Sequence, residues 1–219
     1  TKNTERSMGD NKGWSTIARA IGALAWGAYR LGTTLIKNHL RNSQKRREHA
    51  YLSRKKPVWT LKRLNGPETL RIIEEYRFDL LLNARTRAFF ATRLLEKPAY
   101  GAINIHHGLL PEQRGTMCDL WSLSNNEPSG FSIHKMNGEI DAGDILKVVI
   151  VSDGTDRDYI KYLVKSSRAE LQTVCDTLAE IESSGAIRGY ANIKSGDLPN
   201  RRDPTRDDIR GIKRRELLI

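Results

Sequence analysis

The stretch GAINIHHGLLPEQRG, residues 101–115, begins with a short apolar run that passes into polar residues and a loop containing Pro and Gly. A run of this kind is typical of a buried strand in a parallel sheet. The run DLLLN, residues 79–83, has the same pattern, and a helical segment around residues 91–97 separates the two. Strand, helix and strand in this order predict a parallel pair within an α/β fold.

Similar patterns extend the fold on both sides of this pair. Apolar residues at three- and four-residue steps predict helices, and runs rich in β-branched residues predict strands. The polar, Gly-containing stretch NGEIDAGD, residues 137–144, is expected to be a loop between two such strands. The predicted helices are 65–76 and 156–182, and the predicted strands are 57–61, 129–136 and 145–151.

The net charge of +11 is concentrated at the two ends of the chain. Residues 1–56 carry 13 Lys and Arg against 3 Asp and Glu, whereas residues 57–189 carry 16 against 18. We therefore expect a basic N-terminal helical segment (1–56), a near-neutral catalytic core (57–189) and a basic C-terminal tail (190–219). Basic ends of this kind are more often solvated surface than a site for nucleic acid or anionic lipid, and both interpretations stay open.

Residues 13–40 have apolar side chains at helical spacing and predict a long helix. Arg19 and Arg30 interrupt its apolar run, so we expect no transmembrane segment, with a helix lying on a membrane surface as the alternative to packing against the core. Cys118 and Cys175 lie far apart, and no secretory leader pattern opens the chain. These features favour a reduced, cytoplasmic setting.

Polar side chains that suit acyl transfer lie at the end of the second predicted strand. Asn104 and His106 are two residues apart, so both face the same side of the strand, and a returning loop would bring Asp141 to them. An Asn can bind a developing oxyanion, a His can move a proton near neutral pH, and an Asp can orient the His. A purely structural histidine is the alternative interpretation.

Metal binding is not expected at these residues. The potential ligands lack a recognised metal-binding spacing, and adjacent histidines on a strand point to opposite faces. The potential ligands are His106, His107, His134 and Asp144.

The order and spacing of these motifs resemble the formyltransferase family, which includes methionyl-tRNA, glycinamide-ribonucleotide and nucleotide-sugar N-formyltransferases. The resemblance covers about residues 66–155 and implies a Rossmann-like, mostly parallel sheet flanked by helices. The matching motifs are Asn-Ile-His at 104–106, Leu-Leu-Pro at 109–111, Arg-Gly at 114–115, Gly-x-x-x-His at 130–134 and Asp-x-Gly at 141–143.

The resemblance also implies a donor and a set of site residues. The formyl donor would be 10-formyltetrahydrofolate, Asn104 and His106 would polarise the formyl group, and Asp141 would orient His106 and help to move the proton. In this family the pterin is held largely by backbone groups. A Gln-Arg pair in the loop after the second strand is a candidate to contact the acceptor, and a purely structural Arg is the alternative. The implied pterin-binding positions are Arg87, Phe89, Gly138 and Asp141, and the acceptor candidates are Gln113 and Arg114.

Two features depart from the family pattern. No predicted strand lies ahead of residue 13, and the chain begins with Thr1 rather than Met. We therefore expect a sheet without the N-terminal strand or strands of the family, either because upstream residues are missing or because the protein is a variant. His107 and Gly108 occupy the positions after His106 where the family often has small residues. Gly108 suits a tight turn, and His107 either reaches the acceptor or faces solvent.

The acceptor expected from the sequence is the amine of a small molecule, such as a nucleotide-linked amino sugar. In methionyl-tRNA formyltransferases a β-rich domain that recognises tRNA follows the catalytic core. Only residues 183–219 follow the last predicted helix here, too few for such a domain in this chain. We therefore expect tRNA not to be a partner. The alternatives are a 10-formyltetrahydrofolate hydrolase and a non-catalytic protein that binds nucleic acid or membrane. The oligomeric state stays open, self-association into a homo-oligomer included.

Overall fold

A computed structural model describes residues 42, 45, 46, 49, 53–84, 86, 88–196 and 199–219. Residues 61–219 form one compact unit, and residues 1–60 form another, in which residues 42, 45, 46, 49 and 53 are helical. The predicted helix at 13–40 and the predicted pterin-binding residue Arg87 lie outside the described residues.

The described residues contain a four-stranded sheet in the order β1-β2-β3-β4. Strands β1 and β2 are parallel, as predicted, whereas β3 runs antiparallel to both of its neighbours. The α/β class is confirmed, but this part of the sheet is mixed rather than mostly parallel, because the short loop between β3 and β4 can join only antiparallel strands. The strands are β1 (Leu81–Ala84), β2 (Ala102–His106), β3 (Ser129–Lys135) and β4 (Ile145–Ser152).

The helices at residues 67–76, 92–95 and 159–184 lie where the sequence predicts them, whereas those at 118–124 and 206–214 were not predicted. The longest of the described helices, α4 (Tyr159–Ser184), begins at the Asp158 cap, whose side chain accepts a hydrogen bond from Lys161 N at 3.0 Å, and ends at Gly185 with φ of +63°. Among the described residues, no helix is both long and apolar enough to cross a bilayer. The helices are α1 (Pro67–Tyr76), α2 (Thr92–Leu95), α3 (Cys118–Ser124), α4 (Tyr159–Ser184) and α5 (Arg206–Arg214).

The strand predicted at residues 57–61 is wrong, since these residues have no regular secondary structure. Val58 and Trp59 are 37% and 38% exposed, and no described strand pairs with the segment. A strand needs a neighbour to bond its backbone, so β-forming residues alone did not make one here.

The main core lies between β3 and the helices α3, α4 and α5. Its centre is Phe131 on β3 and Tyr162 on α4, both fully buried. The C-terminal segment contributes as well, because Ile212 on α5 and Leu217 after it belong to the same cluster. A capping box between Thr205 and Asp208 begins α5. The last part of the chain therefore packs into the main core, on the face of the sheet opposite to Asn104 and His134.

Candidate active site

The structure brings His106 and Asp141 together at the end of β2. His106 is the last residue of that strand and only 6% exposed. Asp141 lies in the loop between β3 and β4, with a left-handed φ of +49°, a conformation that Asp tolerates better than most residues. His106 Nδ1 and Asp141 Oδ2 are 3.4 Å apart. The distance is that of an ion pair or a long hydrogen bond.

His134 on β3 completes the cluster. Its position faces Asn104 across the antiparallel pair, and Asn104 Nδ2 and His134 Nε2 are 3.0 Å apart. The same Nε2 lies 3.5 Å from Asp141 Oδ1. The carboxylate of Asp141 therefore lies between two imidazole rings, and Asn104 joins the group through His134. The sequence motif contained His134, but the pattern alone did not assign it to the cluster.

The pKa values of this cluster favour a charged carboxylate beside a neutral imidazole. Burial raises the pKa of Asp141, but its contacts with His134, His106 and the N–H of Gly115 together outweigh this effect, so the pKa lies below its usual value. Burial lowers the pKa of His106 below 6.5, although the Asp141 charge opposes this. A neutral His106 next to an ionised Asp141 is suited to accept a proton near neutral pH.

The loop after β2 holds His106 from its other side. His106 Nε2 lies 2.5 Å from the backbone oxygen of Gln113. The Gln113 side chain is engaged within the loop, since its Oε1 accepts from Leu109 N at 3.0 Å and its Nε2 donates to Pro128 O at 3.1 Å. Ser132 on β3 fixes the same loop by donating to Gly108 O at 2.7 Å. Gln113 thus contacts the site through its main chain.

Arg114, the other predicted acceptor contact, links the site to the C-terminal segment. Its guanidinium donates to the backbone and side-chain oxygens of Asn192 at 2.8 and 2.9 Å. Asn192 Nδ2 in turn donates to the backbone oxygens of Asp141 and Gly143, both at 2.9 Å. Asn192 therefore holds the loop that carries Asp141. Nothing in the local sequence around residue 192 indicated this contact.

His107 points to the opposite face of β2, as alternation on a strand requires. Its Nδ1 lies 3.4 Å from Asp119 Oδ2 on α3, and its Nε2 lies 3.3 Å from Glu170 Oε1 on α4. Burial lowers the pKa of His107, but these two carboxylates outweigh that effect and raise it to about 9. The sequence predicted that His107 either reaches the acceptor or faces solvent. Both predictions differ from the structure, in which His107 forms a largely buried ionic cluster on the face of the sheet opposite to the site.

The predicted pterin-binding positions are partly described. Phe89 follows β1 with an exposed side chain, and its backbone oxygen accepts a hydrogen bond from Asn65 at 2.7 Å. Gly138 lies in the Asp141 loop, and the nearest described atom to a methyl group added there is Thr92 Oγ1, at 3.7 Å. In the part of the chain that the structure describes, no group of three or more His, Cys, Asp or Glu is arranged to hold a metal ion.

Gly108 is required by the close packing around His106. A methyl group at this position would lie 2.5 Å from His106 Nε2 and 2.9 Å from Cys118 Cβ, both shorter than van der Waals contact. We expect Gly108→Ala to lower the free energy of unfolding by about 1–3 kcal/mol, because the ring or the loop must move. Chemical denaturation measures this change. Gly138→Ala is the control, and an equal loss in both variants would contradict the packing argument.

Comparison with known proteins identifies the family. The Formyl transferase family model matches residues 35–170, more than half of the chain. The chain is 32% identical over 127 residues to the methionyl-tRNA formyltransferase of Geobacter metallireducens, covering 58% of this chain and 41% of that protein. It is 28% identical over 155 residues to the GDP-perosamine N-formyltransferase of Brucella melitensis, covering 69% and 60%. The chain thus spans less than two thirds of the length of these relatives.

Solved structures show the same fold. A sugar N-formyltransferase from Shewanella superposes with a TM-score of 0.52 at 23% identity, over 69% of this chain and 65% of that one. The formyltransferase PseJ from Anoxybacillus kamchatkensis, solved with UDP-4,6-dideoxy-4-formamido-L-AltNAc and tetrahydrofolate, superposes with a TM-score of 0.51 at 20% identity. That match covers 72% of this chain and 80% of the PseJ chain. The Rossmann-like fold and the resemblance stated from the sequence are confirmed.

Proposed function

The chain belongs to the formyl transferase family, and we propose on that basis that it transfers a formyl group from 10-formyltetrahydrofolate to an amine of a small molecule. The observation that carries the proposal is the partly buried Asp141 carboxylate between His106 and His134, with Asn104 bonded to His134. This group contains an amide donor, an imidazole and a carboxylate at the end of one strand. The three together suit acyl transfer to nitrogen.

The reaction forms one bond to the formyl carbon and breaks another. The amine nitrogen attacks that carbon, and the carbonyl electron pair moves to oxygen, which the Asn104 N–H stabilises. The proton that the amine loses passes to the buried His106–Asp141 pair. Collapse of the tetrahedral intermediate then breaks the carbon–nitrogen bond to the folate, whose nitrogen takes up a proton. The products are the formamide and tetrahydrofolate.

The surroundings of Gly138 fit a folate donor beside this group. Among the described residues, an added Cβ at Gly138 would meet only Thr92 Oγ1, at 3.7 Å, so a flat ring has room to approach the loop backbone. Apolar side chains that are exposed in the same region, Phe89 and Ile140, offer a surface for an aromatic ring. These features agree with backbone recognition of the pterin near Phe89, Gly138 and Asp141; Arg87 stays a prediction.

A nucleotide-linked amino sugar is the acceptor class that we favour. The Brucella relative is named for a GDP-linked sugar, and the PseJ structure was solved with a UDP-linked formamido sugar. Arg114 is the candidate to lie near the acceptor, because it follows the loop that contacts His106. Methionyl-tRNA formyltransferases are also relatives, so methionyl-tRNA belongs among the acceptors to be tested. Hydrolysis, with water as the acceptor, is the remaining alternative for the same residues.

Donor binding tests the first half of the proposal. A non-reactive analogue of 10-formyltetrahydrofolate, at about 100 times its dissociation constant, is expected to stabilise the full chain by roughly 2.7 kcal/mol in thermal unfolding. Gly138→Val is the matched control, because its side chain would fill the space above the loop while the residue itself is exposed. We expect this variant to unfold like the parent and to lose the ligand-induced shift. No shift in the parent would contradict the proposed donor site.

A further inference from the structure

A ladder of three polar side chains crosses the sheet beside the proposed reaction centre. Asn83, Asn104 and His134 occupy matching positions on β1, β2 and β3. Neighbouring strands lie about 4.8 Å apart, close enough for consecutive side chains to bond directly. Asn83 Nδ2 donates to Asn104 Oδ1 at 2.7 Å, and Asn104 Nδ2 is 3.0 Å from His134 Nε2.

A backbone carbonyl sets the direction of these hydrogen bonds. His134 Nδ1 lies 2.8 Å from the Lys135 oxygen, and since a carbonyl can only accept, Nδ1 carries the hydrogen. In a neutral ring Nε2 then accepts, so Asn104 turns its NH₂ group to His134. The Asn104 carbonyl oxygen consequently faces β1, where Asn83 supplies a donor. The hydrogen-bond pattern therefore assigns the amide orientation of Asn104.

This orientation leaves one N–H of Asn104 available. Of its two side-chain hydrogens, one points to His134, and no described residue accepts the other. Asn83 and His134 are only 8% and 3% exposed, so water competes little for the bonds of the ladder. A rotation of the Asn104 amide by half a turn would exchange this free N–H for a carbonyl oxygen, which would repel a developing oxyanion.

We propose that Asn83 is a positioning residue for formyl transfer, because its amide holds Asn104 with the free N–H toward the formyl oxygen. The inference rests on the proposed function. Asn83 is the polar end of the apolar run DLLLN, where a buried amide costs stability unless it is bonded. The bond to Asn104 compensates this cost for the NH₂ group of Asn83, whereas the buried Asn83 Oδ1 has no hydrogen-bond partner among the described residues. Asn83 acts through Asn104 and need not touch the substrate.

Two substitutions at Asn83 separate positioning from packing. Asn83→Asp keeps the shape but offers only acceptors, so Asn104 must turn its NH₂ toward β1 and its oxygen toward the formyl group. We expect kcat to fall about 100-fold, as when an oxyanion donor is lost, with little change in the KM for the donor. Asn83→Leu removes the donor without imposing an orientation. We expect it to lower kcat by about tenfold.

Nitrogen-15 NMR of the histidine rings gives a readout that does not depend on activity. In the parent, His134 is expected to carry hydrogen on Nδ1 alone. In Asn83→Asp the Asn104 oxygen faces His134, so Nε2 is expected to shift toward the protonated position. His134→Gln assigns the resonance by its disappearance. Leu82→Asp is the matched control, since it adds a carboxylate on the same strand at a 40% exposed position facing the other side of the sheet.

The expected result is a His134 resonance that moves in Asn83→Asp and stays in Leu82→Asp, together with a larger loss of kcat in Asn83→Asp than in Asn83→Leu. Equal kcat values in the two Asn83 variants, with an unmoved His134 resonance, would overturn the proposal. If Asn83→Asp does not fold, Asn83→Leu with unchanged kcat would overturn it as well. If the parent transfers no formyl group at all, the proposed function fails, and the His134 resonance still decides whether Asn83 orients Asn104.

Discussion

Asn104→Ala is expected to lower kcat for formyl transfer by about 100- to 1000-fold, because it removes the donor that stabilises the oxyanion of the tetrahedral intermediate. The interaction strengthens only as charge develops on the formyl oxygen, so KM should change little. Asn104 is bonded on both sides, by Asn83 and His134, and its donor is therefore oriented before the substrate arrives. Such preorganisation is what makes an amide effective in a buried site.

Steady-state kinetics with the labelled donor and the best acceptor measures this loss. Asn125→Ala is the matched control, since Asn125 is an exposed asparagine at the end of α3 and contacts Arg215 rather than the site. We expect its kcat to stay within about twofold of the parent, as for most surface substitutions. If Asn104→Ala were as active as Asn125→Ala, the assigned role of Asn104 would be wrong.

The free energy of unfolding is expected to fall by about 3 kcal/mol as the pH rises from 6.5 to 9, owing to His107 alone. Its pKa is raised from 6.5 to about 9 in the folded protein, since hydrogen bonds and charges from Asp119 and Glu170 outweigh its burial. A group whose pKa is higher in the folded state than in the unfolded state contributes its full stabilisation at pH values below its pKa in the unfolded state. This contribution is lost as the pH approaches the folded value.

His107→Gln isolates this effect from other titrating groups. The variant keeps a side chain that can donate hydrogen bonds but carries no charge toward Asp119 or Glu170. We expect it to be less stable than the parent by about 3 kcal/mol at pH 6, with the difference shrinking toward pH 9. Urea denaturation of both proteins at several pH values measures the difference. A constant difference across this range would show that the pKa of His107 is not raised in the folded protein.

The local pattern of the sequence was sufficient for the four strands of the sheet and for the helices α1 and α4, although it also predicted a strand at 57–61 that does not form. Alternation along a strand correctly placed Asn104 and His106 on one side, and the same alternation explains why His107 faces α3 and α4. The apolar run DLLLN and the helix after it correctly predicted a parallel pair. The capping residues Thr205 and Asp208 are visible in the sequence too, although the helix that they begin was not predicted.

Contacts between distant residues could not be predicted in the same way. Strand direction depends on which strands become neighbours, so the antiparallel pairing of β3 with β2 was not evident from the residues of either strand. Asn192 bonds to Asp141 across 51 residues, and Asn83 bonds to Asn104 across 21. Such pairs depend on the register of the sheet and the path of the last segment. A local pattern carries neither kind of information.

Transfer of a carbon-13 formyl group tests the central claim most directly. The full chain would be incubated with labelled 10-formyltetrahydrofolate and, in separate reactions, nucleotide-linked amino sugars, methionyl-tRNA or no acceptor, and the labelled products would be identified by mass spectrometry. We predict labelled formamide on a nucleotide-linked amino sugar with the parent, and its loss with His106→Ala when that variant is folded. Labelled formate released at the same rate with every acceptor and with none, or label found on no product at all, would contradict the account.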